Sequence, residues 1–261
     1  MITGIDHVVI AVPDLRLAAD EFAQRTGLEV SPGGRHHALG TANRLVWLGD
    51  TYLEFVAVVD PHLATHSWIG APVMRRLEHG PGLAMFALAS NDVRADVGRL
   101  AGHGSSLGKP TSGERMRPDG GMVRWTLSLP GMLAPDRPPF LIEHEMTGPE
   151  WRAMARMERA MQRHPVGGRA RLAWLEIEVD DPDAVAEAYR ADLGLDPVEH
   201  FGDRFEVQIG GQVVRLAPVE RVVPHRTPGP TTIVGIHLEE GPATRRVDVL
   251  GCRFDLEPTG R

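Results

Sequence analysis

Short apolar stretches typical of strands alternate along this chain with amphipathic stretches typical of helices. Residues 6–12 are mostly β-branched, which predicts a strand, and residues 15–25 repeat apolar positions at helical spacing before Gly27. Two more apolar stretches, 42–48 and 52–58, are separated by a connection of hairpin length. With a further strand in the region of His36 and His37, the chain begins with a predicted β-α-β-β-β unit.

The same order of elements recurs further along the chain. The second copy has strands at 83–89, 122–129 and 140–145 and a helix at 92–102; the third has strands at 172–179, 205–209 and 212–216 and a helix at 183–193; an abbreviated fourth has strands at 231–238 and 253–256. This repetition predicts an α+β fold of tandem βαβββ modules in which the C-terminal pair is degenerate.

A helical stretch separates the second copy from the third. Its methionines recur near helical spacing, and we expect this stripe to pack against the core. The glycine-rich sequence that follows is typical of a boundary. The predicted organisation is a domain of two modules at 1–148, a connecting helix and linker at 149–168, and a C-terminal region at 169–261 with the third and fourth modules.

Composition and charge remove several classes of function. A net charge of -7 argues against nucleic acid or an anionic membrane as the main partner. Cys252 is the only cysteine, which excludes a disulfide framework and a thiolate-rich zinc site. No apolar stretch is long enough to span a bilayer and no leader precedes the first strand, so we expect a cytoplasmic protein. Motifs of nucleotide-binding proteins and of hydrolases are absent from the sequence, whereas 12 histidines leave metal or acid/base chemistry open.

Two titratable residues lie within predicted strands of the first module. Alternation places His7 on the face of its strand opposite the aliphatic residues Val8 and Ile10. Glu54 lies in an otherwise apolar strand, where a carboxylate is costly unless a cation or donor meets it. Either Glu54 pairs with an arginine such as Arg44 and His7 is a satisfied strand histidine, or the two residues begin a divalent-metal site.

The repeat adds a third potential ligand. Superposing the second copy on the first places Glu143 at the position of Glu54, while Ala84 falls where His7 stands. His7, Glu54 and Glu143 would then converge if the copies close around one cavity. Alternation directs His144 to the opposite face from Glu143, which argues against His144 as a ligand.

Six short motifs lie within the first two modules. They are HVVIAVPD at 7–14, GGRH at 33–36, GTANRL at 40–45, LGDTYLE at 48–54, RPDGG at 117–121 and PFLIE at 139–143. In these motifs the chain resembles the vicinal oxygen chelate superfamily, in the group of glyoxalase-like domains. The resemblance covers residues 1 to about 180 well, and the remainder only through the repeated order of elements.

The resemblance implies paired modules whose mixed sheets curl into a cup around a divalent metal. His7, Glu54 and Glu143 match ligand positions of the family, whereas Ala84 departs from them, as do Trp174 and Arg215 in the third copy. The implied cofactor is Mn, Fe, Ni, Zn or Mg, which acts as a Lewis acid on two adjacent substrate oxygens. Glu54 would serve as ligand and as catalytic base.

Further polar residues of the first two modules are candidates for substrate binding. The histidine pair at 36–37 borders the same predicted cavity, and one of its members is a candidate for the missing ligand; the alternative is a solvated loop. Arg124 either binds an acidic substrate or neutralises Glu143 or Glu145. The predicted substrate-binding residues are His36, His37, Asn43, Arg44 and Arg124.

These residues support two main hypotheses of function. The first is a metal-dependent enzyme that acts on a small substrate with vicinal oxygens, by isomerase, lyase or oxygenase chemistry. The second is a binding protein of the bleomycin-resistance type, which sequesters a small molecule without metal or turnover. A third alternative is a filled cup whose surface binds a protein partner. The modules close either within one chain or across a homodimer.

Overall fold

The computed structural model describes residues 1–200, 204–219, 232–241 and 243–259, and the remaining positions of the third and fourth predicted modules lie outside the described residues. The first module comprises β1 (Ile2–Ala11), α1 (Leu15–Thr26), β2 (Ser31–His36), β3 (Thr41–Leu48) and β4 (Thr51–Val58). Two short helices, α2 (Pro61–Thr65) and α3 (Gly70–Leu77), lead to β5 (Gly82–Ser90), α4 (Val93–Ala101), β6 (Thr111–Met116), β7 (Met122–Ser128) and β8 (Phe140–His144) of the second module.

The C-terminal half repeats this order with fewer elements. After α5 (Ala153–Met161) come β9 (Ala170–Val179), α6 (Pro182–Leu193), β10 (Val198–His200), β11 (Arg204–Ile209) and β12 (Gln212–Pro218) of the third module. The fourth contributes β13 (Thr232–Leu238), β14 (Arg245–Val249) and β15 (Cys252–Pro258). The predicted α+β fold of repeated βαβββ modules with curled mixed sheets is confirmed.

The helix of each of the first three modules begins with the same cap. Asp14, Asp92 and Asp181 each accept a hydrogen bond from the backbone N–H three residues ahead, which satisfies a donor of the first helical turn. Helix α1 ends at Gly27, whose φ of 75° is accessible to glycine at little cost. The helix boundaries are therefore determined locally, by residues that the sequence already shows.

The first two modules form a closed barrel with strand order β1-β4-β3-β2-β6-β7-β8-β5. Strand β1 pairs in parallel with β4 and antiparallel with β5. The modules also meet through β2 and β6, which are rich in glycine and charge and are paired at Arg35 and Met116. The sequence did not predict these two strands from periodicity, because neither has an apolar alternation.

One core joins the barrel to the sheet of the C-terminal half, whose order is β10-β11-β12-β9-β13-β15-β14. Phe22 of α1 lies between Phe55 of the barrel and Phe254 of that sheet, with ring centroids 5.0 Å from each. Apolar residues on the outer face of the barrel and on one face of the second sheet thus share one buried cluster. The segment 149–168, which the sequence predicts as a linker between two units, therefore connects two sheets that share one continuous core.

The connecting helix α5 packs with the opposite face from the one that its sequence predicts. Met154, Met157 and Met161 are about two-thirds exposed, at 66%, 68% and 65%. Arg159 is buried instead, and its guanidinium lies 4.3 Å from the Trp47 ring centroid and 4.8 Å from that of Trp151. The expected packing of the methionine stripe is wrong, because cation–π contacts turn the arginine side of the helix inward.

His164 attaches the linker to the barrel. Its Nδ1 accepts a hydrogen bond from the Glu29 backbone N–H at 3.0 Å, and its Nε2 donates to the Trp47 carbonyl at 3.0 Å. Both contacts require the neutral ring with the proton on Nε2. Burial lowers the pKa of His164 below its usual value of 6.5, against the opposing contribution of the Trp47 carbonyl.

This depressed pKa predicts a loss of stability in acid. As the pH falls below 6.5, the unfolded chain binds a proton on His164 that the folded chain excludes, so the free energy of unfolding decreases. We expect His164→Gln to show a weaker decrease between pH 7.5 and 5.5 in urea titrations. His103→Gln, which changes an exposed histidine, is the control and retains the wild-type slope. Equal slopes in all three proteins would contradict this assignment.

No helix of the described ranges is long and apolar enough to cross a membrane.

Candidate active site

The interior of the barrel contains a buried polar cluster built on β1 and β4. These strands are adjacent and parallel, and residues of both that face inward lie side by side. His7 Nε2 lies 3.5 Å from Glu54 Oε2, and both side chains are almost fully buried. The His7 ring stacks on Tyr52 at 4.7 Å between centroids. The first module therefore brings together the histidine and the carboxylate that the sequence singles out.

A β-bulge supplies the second partner of His7. The pairing of β1 with β5 shifts between Ile5 and His7, so that Asp6 is an extra residue in the ladder. Asp6 Oδ1 lies 2.6 Å from His7 Nδ1 and 3.0 Å from Nε2 of His144. Strict alternation would direct the side chains of Asp6 and His7 to opposite faces of β1. The bulge instead allows them to contact each other.

Glu54 is held at its other oxygen by the neighbouring strand β3. Asn43 Nδ2 donates to Glu54 Oε1 at 2.5 Å, and Asn43 Oδ1 accepts from the Gly34 backbone N–H at 2.7 Å. His36 Nε2 lies 3.9 Å from the same Glu54 oxygen, while its Nδ1 is 3.0 Å from the Thr41 hydroxyl. Two imidazole nitrogens therefore face one carboxylate from two sides.

Burial and mutual charge determine the protonation of this cluster. Burial alone would raise the pKa of Asp6, but the charges and hydrogen bonds of His144 and His7 leave it well below its usual value. Burial opposes protonation of His7, yet Asp6 and Glu54 raise its pKa. Burial, together with the charges of Arg115 and His7, lowers the pKa of His36 to about 4 although Glu54 acts against the shift. His36 is therefore neutral at physiological pH and able to act as a ligand.

A cavity of about 30 Å³ lies within this cluster. That volume holds roughly two water molecules. Its wall combines polar residues with aromatic and aliphatic ones: His7, His36, Asn43, Tyr52, Glu54, Trp68, Ile69, Arg115, Val123, Trp125, Ile142, His144 and Glu150. The remainder of the barrel interior is filled by apolar side chains. The enclosed polar space is therefore confined to the region of His7 and Glu54.

Glu143 does not join this cluster, contrary to the expected convergence. Its Oε2 accepts a hydrogen bond from the Val93 backbone N–H at the start of α4, at 3.0 Å. The inward residues of β8 are Phe140 and Ile142, which belong to the barrel core, followed by His144 at the cavity. Glu143 and His144 lie on opposite faces of β8 as expected, but His144 faces the cavity and Glu143 faces away from it. The superposition of the two copies was out of register by one residue, which reverses every side chain of a strand.

Three of the predicted substrate-binding residues also lie away from the cavity. His37 is exposed in a single turn of 3-10 helix after β2. Arg44 is half-buried, and alternation with the inward Asn43 places it on the outer face of β3. Arg124 is exposed and forms ion pairs with Glu114 and Glu145, which agrees with the charge-neutralising alternative and not with substrate binding. His36 and Asn43 are the members of that set at the cavity.

Four acidic or basic residues of the site were not among the sequence candidates. Arg115 comes from β6, a strand without apolar alternation, and Glu150 comes from the linker before α5. Asp6 reaches the site only because of the bulge in β1, and the sequence prediction assigned His144 to the wrong face of β8. The adjacency of Asp6 and His7 in the sequence was the one available signal, since a carboxylate next to a strand histidine is a common partner for its outer nitrogen.

The third and fourth modules do not reproduce the polar cluster at the corresponding place. Trp174 and Arg215, at the positions of His7 and Glu54, stack with 4.7 Å between the guanidinium and the ring centroid. A Cβ at Gly235 would lie 2.1 Å from the Trp174 ring, so glycine is required beneath it. Ala84 of the second module is buried, and its side chain has no atom that could bind a metal. The first module thus provides the two histidines and the carboxylate that face one another at the site.

Paired βαβββ modules around a histidine–carboxylate pair define a protein of the vicinal oxygen chelate superfamily. The chain belongs to the glyoxalase-like domain family, whose sequence profile matches residues 5–193. No curated protein gave a significant sequence match.

Solved structures share the fold of this chain. A hypothetical protein from Staphylococcus aureus is 16% identical, with 98% of this chain and 99% of that chain covered and a TM-score of 0.79. A variant of 4-hydroxymandelate synthase from Streptomyces coelicolor is 18% identical, with 92% and 72% covered and a TM-score of 0.55. Methylmalonyl-CoA epimerase from Mycobacterium tuberculosis is 25% identical over 54% of this chain and 88% of that chain, with a TM-score of 0.41. At these identities, the first two likenesses concern the fold.

Proposed function

We propose that this protein is an enzyme that binds a divalent metal at His7, His36 and Glu54 and acts on a small substrate with two adjacent oxygens. The observation that carries the proposal is the approach of two imidazole Nε2 atoms to one buried carboxylate, at 3.5 and 3.9 Å. Two histidines and one carboxylate are a common donor set for Fe, Mn, Ni or Zn sites that keep positions open for substrate. His36 thus takes the place first expected of Glu143.

The donor set fits a metal in its chemistry and nearly fits in its distances. Bonds of about 2.1 Å in a tetrahedral site separate neighbouring ligand atoms by roughly 3.4 Å, which the His7–Glu54 distance of 3.5 Å matches. The described residues contain no three acidic, histidine or cysteine side chains already at full metal-ligand geometry. His36 therefore has to approach Glu54 more closely than 3.9 Å, and His7 has to lose the proton that Asp6 and Glu54 favour.

The surrounding residues support this interpretation because each of the three proposed metal ligands contacts a polar partner that orients it. Asp6 contacts the outer nitrogen of His7, the Thr41 hydroxyl contacts that of His36, and the Asn43 amide fixes the Glu54 carboxylate. Such partners determine the tautomer and orientation of metal-binding side chains. A bound metal would supply Lewis-acid stabilisation of negative charge on the substrate oxygens. Of the two carboxylates that line the cavity, Glu54 would accept a proton from the substrate, because Glu150 is paired with Arg115.

Metal binding by histidine variants tests the proposal. We expect wild-type protein to bind close to one equivalent of Mn, Fe, Ni or Zn after incubation with each ion, measured by elemental mass spectrometry after desalting. His36→Ala removes a neutral imidazole ligand and weakens binding by about a hundredfold or more. The adjacent His37→Ala is the matched control, since His37 is exposed, and it binds like wild type. Absence of metal from wild-type protein with every ion would refute the proposed enzyme.

A metal-independent binding protein is the second candidate, and a cleft of about 740 Å³ between the barrel and the second sheet favours it. Its wall includes the aromatic residues Trp151 and Trp174 and the cationic residues Arg156 and Arg171. That volume suits a small organic ligand. Binding that survives treatment with a chelator and is lost in Trp174→Ala would support this candidate.

A further inference from the structure

Arg115 is a buried cation at the candidate active site that the metal chemistry does not use. Arg115 is 5% exposed and lines the cavity together with His36 and Glu54. One terminal nitrogen, Nη2, donates to Glu150 Oε2 at 2.7 Å. The other, Nη1, has no hydrogen-bond acceptor among the described residues.

An unsatisfied buried N–H is unfavourable, and buried guanidinium groups are normally fully paired. The guanidinium of arginine is an obligate donor that keeps its charge in proteins. The complementary ligand therefore offers acceptor oxygens, and the fixed charge of Arg115 favours an anionic oxygen over a neutral one.

Glu150 already places one carboxylate on this arginine. It belongs to the segment between β8 and α5, is mostly buried, and also lies 3.8 Å from Arg117 Nε. A guanidinium binds carboxylates through several N–H groups in a fixed planar arrangement, so a second carboxylate on Nη1 would share Arg115 with Glu150. Glu150 is thus a competitor for the same charge and a member of the cavity wall.

We propose that Arg115 binds a carboxylate of the substrate, so that the substrates are small acids with an oxygen next to the carboxylate, such as 2-oxo or 2-hydroxy acids. The inference rests on the proposed function, because the two adjacent oxygens are those that the metal would take. A neutral dicarbonyl would leave Nη1 without an anionic partner. The cavity of about 30 Å³ accommodates a group of carboxylate size and no bulky one.

Binding of oxalate, with neutral oxamide as the matched compound, tests this assignment. Calorimetry is performed on the full-length protein with and without Mn²⁺. Arg115→Met weakens oxalate binding by about tenfold or more, the change expected when a charge-assisted hydrogen bond is lost, and leaves oxamide binding unchanged. Arg117→Met is the control, because Arg117 also lies near Glu150 but does not line the cavity. It retains the wild-type affinity for oxalate.

Glu150→Gln provides a second test, which stands even if Arg115→Met fails to fold. Removing the competing carboxylate frees Arg115, so oxalate binds about threefold or more tightly than to wild type, opposite to the result for Arg115→Met. A purely structural role for the Arg115–Glu150 pair would instead weaken binding in both variants. Unchanged or weaker oxalate binding by Glu150→Gln would overturn the inference.

Metal content of the same samples separates this inference from the proposed function. If wild type binds Mn²⁺ but oxalate affinity is the same in Arg115→Met and Arg117→Met, the assignment of Arg115 fails while the metal site stands. If Mn²⁺ does not bind but oxalate still depends on Arg115, the anion site stands while the metal-dependent enzyme fails.

Discussion

Glu54→Gln is expected to abolish metal binding while the protein stays folded. The substitution preserves the size of the side chain and its hydrogen-bonding capacity toward Asn43, but it removes the anionic ligand at the centre of the site. Loss of a directly coordinating carboxylate should exceed the roughly 10–100-fold loss seen for outer partners of metal ligands. Elemental mass spectrometry and metal titration of wild type and Glu54→Gln measure the effect.

Glu143→Gln is the matched control for that prediction. Glu143 was the other carboxylate expected at the metal, but its Oε2 instead accepts a hydrogen bond from the Val93 N–H. We expect this variant to bind metal like wild type and to lose about 0.3–1 kcal/mol of stability, because the amide oxygen still accepts from the Val93 N–H but the negative charge at the start of α4 is lost. Loss of metal in Glu143→Gln with retention in Glu54→Gln would show that the ligands are misassigned.

Thermal unfolding gives an independent measure of the same site. A metal that binds only the folded protein at a hundred times its Kd adds about 2.7 kcal/mol to the free energy of unfolding. Wild type should therefore melt at a higher temperature when metal is added, and Glu54→Gln should not respond. Without metal, the variant should be less stable than wild type, because it loses the attraction between the Glu54 carboxylate and the buried His7.

Phe22→Ala is expected to give a large loss of stability. Phe22 is fully buried and contacts Phe55 in the barrel and Phe254 in the second sheet. Truncation of a buried phenylalanine leaves a cavity and typically costs about 3–5 kcal/mol. For a chain of this length we expect Tm to fall by roughly 10 °C. Urea and thermal titrations followed by circular dichroism measure the loss.

The same experiment shows whether the two halves unfold together. Because Phe22 connects both sheets through one core, wild type and Phe22→Ala should each unfold in a single transition. Leu17→Ala on the exposed face of α1 is the control and should change stability by less than about 0.5 kcal/mol. Two separate transitions, of which Phe22→Ala shifts one, would show that the barrel and the C-terminal sheet are independent domains.

The sequence determined the features of this protein that depend on neighbours along the chain. Aspartate caps and a terminal glycine set the helices of the modules, and apolar patterns set most strands other than β2 and β6, so the repeat of βαβββ modules could be predicted. Alternation also placed His7 inward on β1, and a carboxylate inside an apolar strand identified Glu54. Each of these signals arises from one segment, and no partner segment is needed to interpret it.

Only the tertiary structure decided the rest of the candidate site. The bulge at Asp6 and the register of β8 depend on pairing with β5, and a slip of one residue exchanges Glu143 for His144. Arg115 enters the cavity because the glycine- and charge-rich β6 pairs with β2 to close the barrel. The methionine face of α5 turned outward because Arg159 stacks on two indole rings. These outcomes depend on contacts between residues that are distant in sequence. The energies of such contacts cannot be inferred from any single segment of the chain.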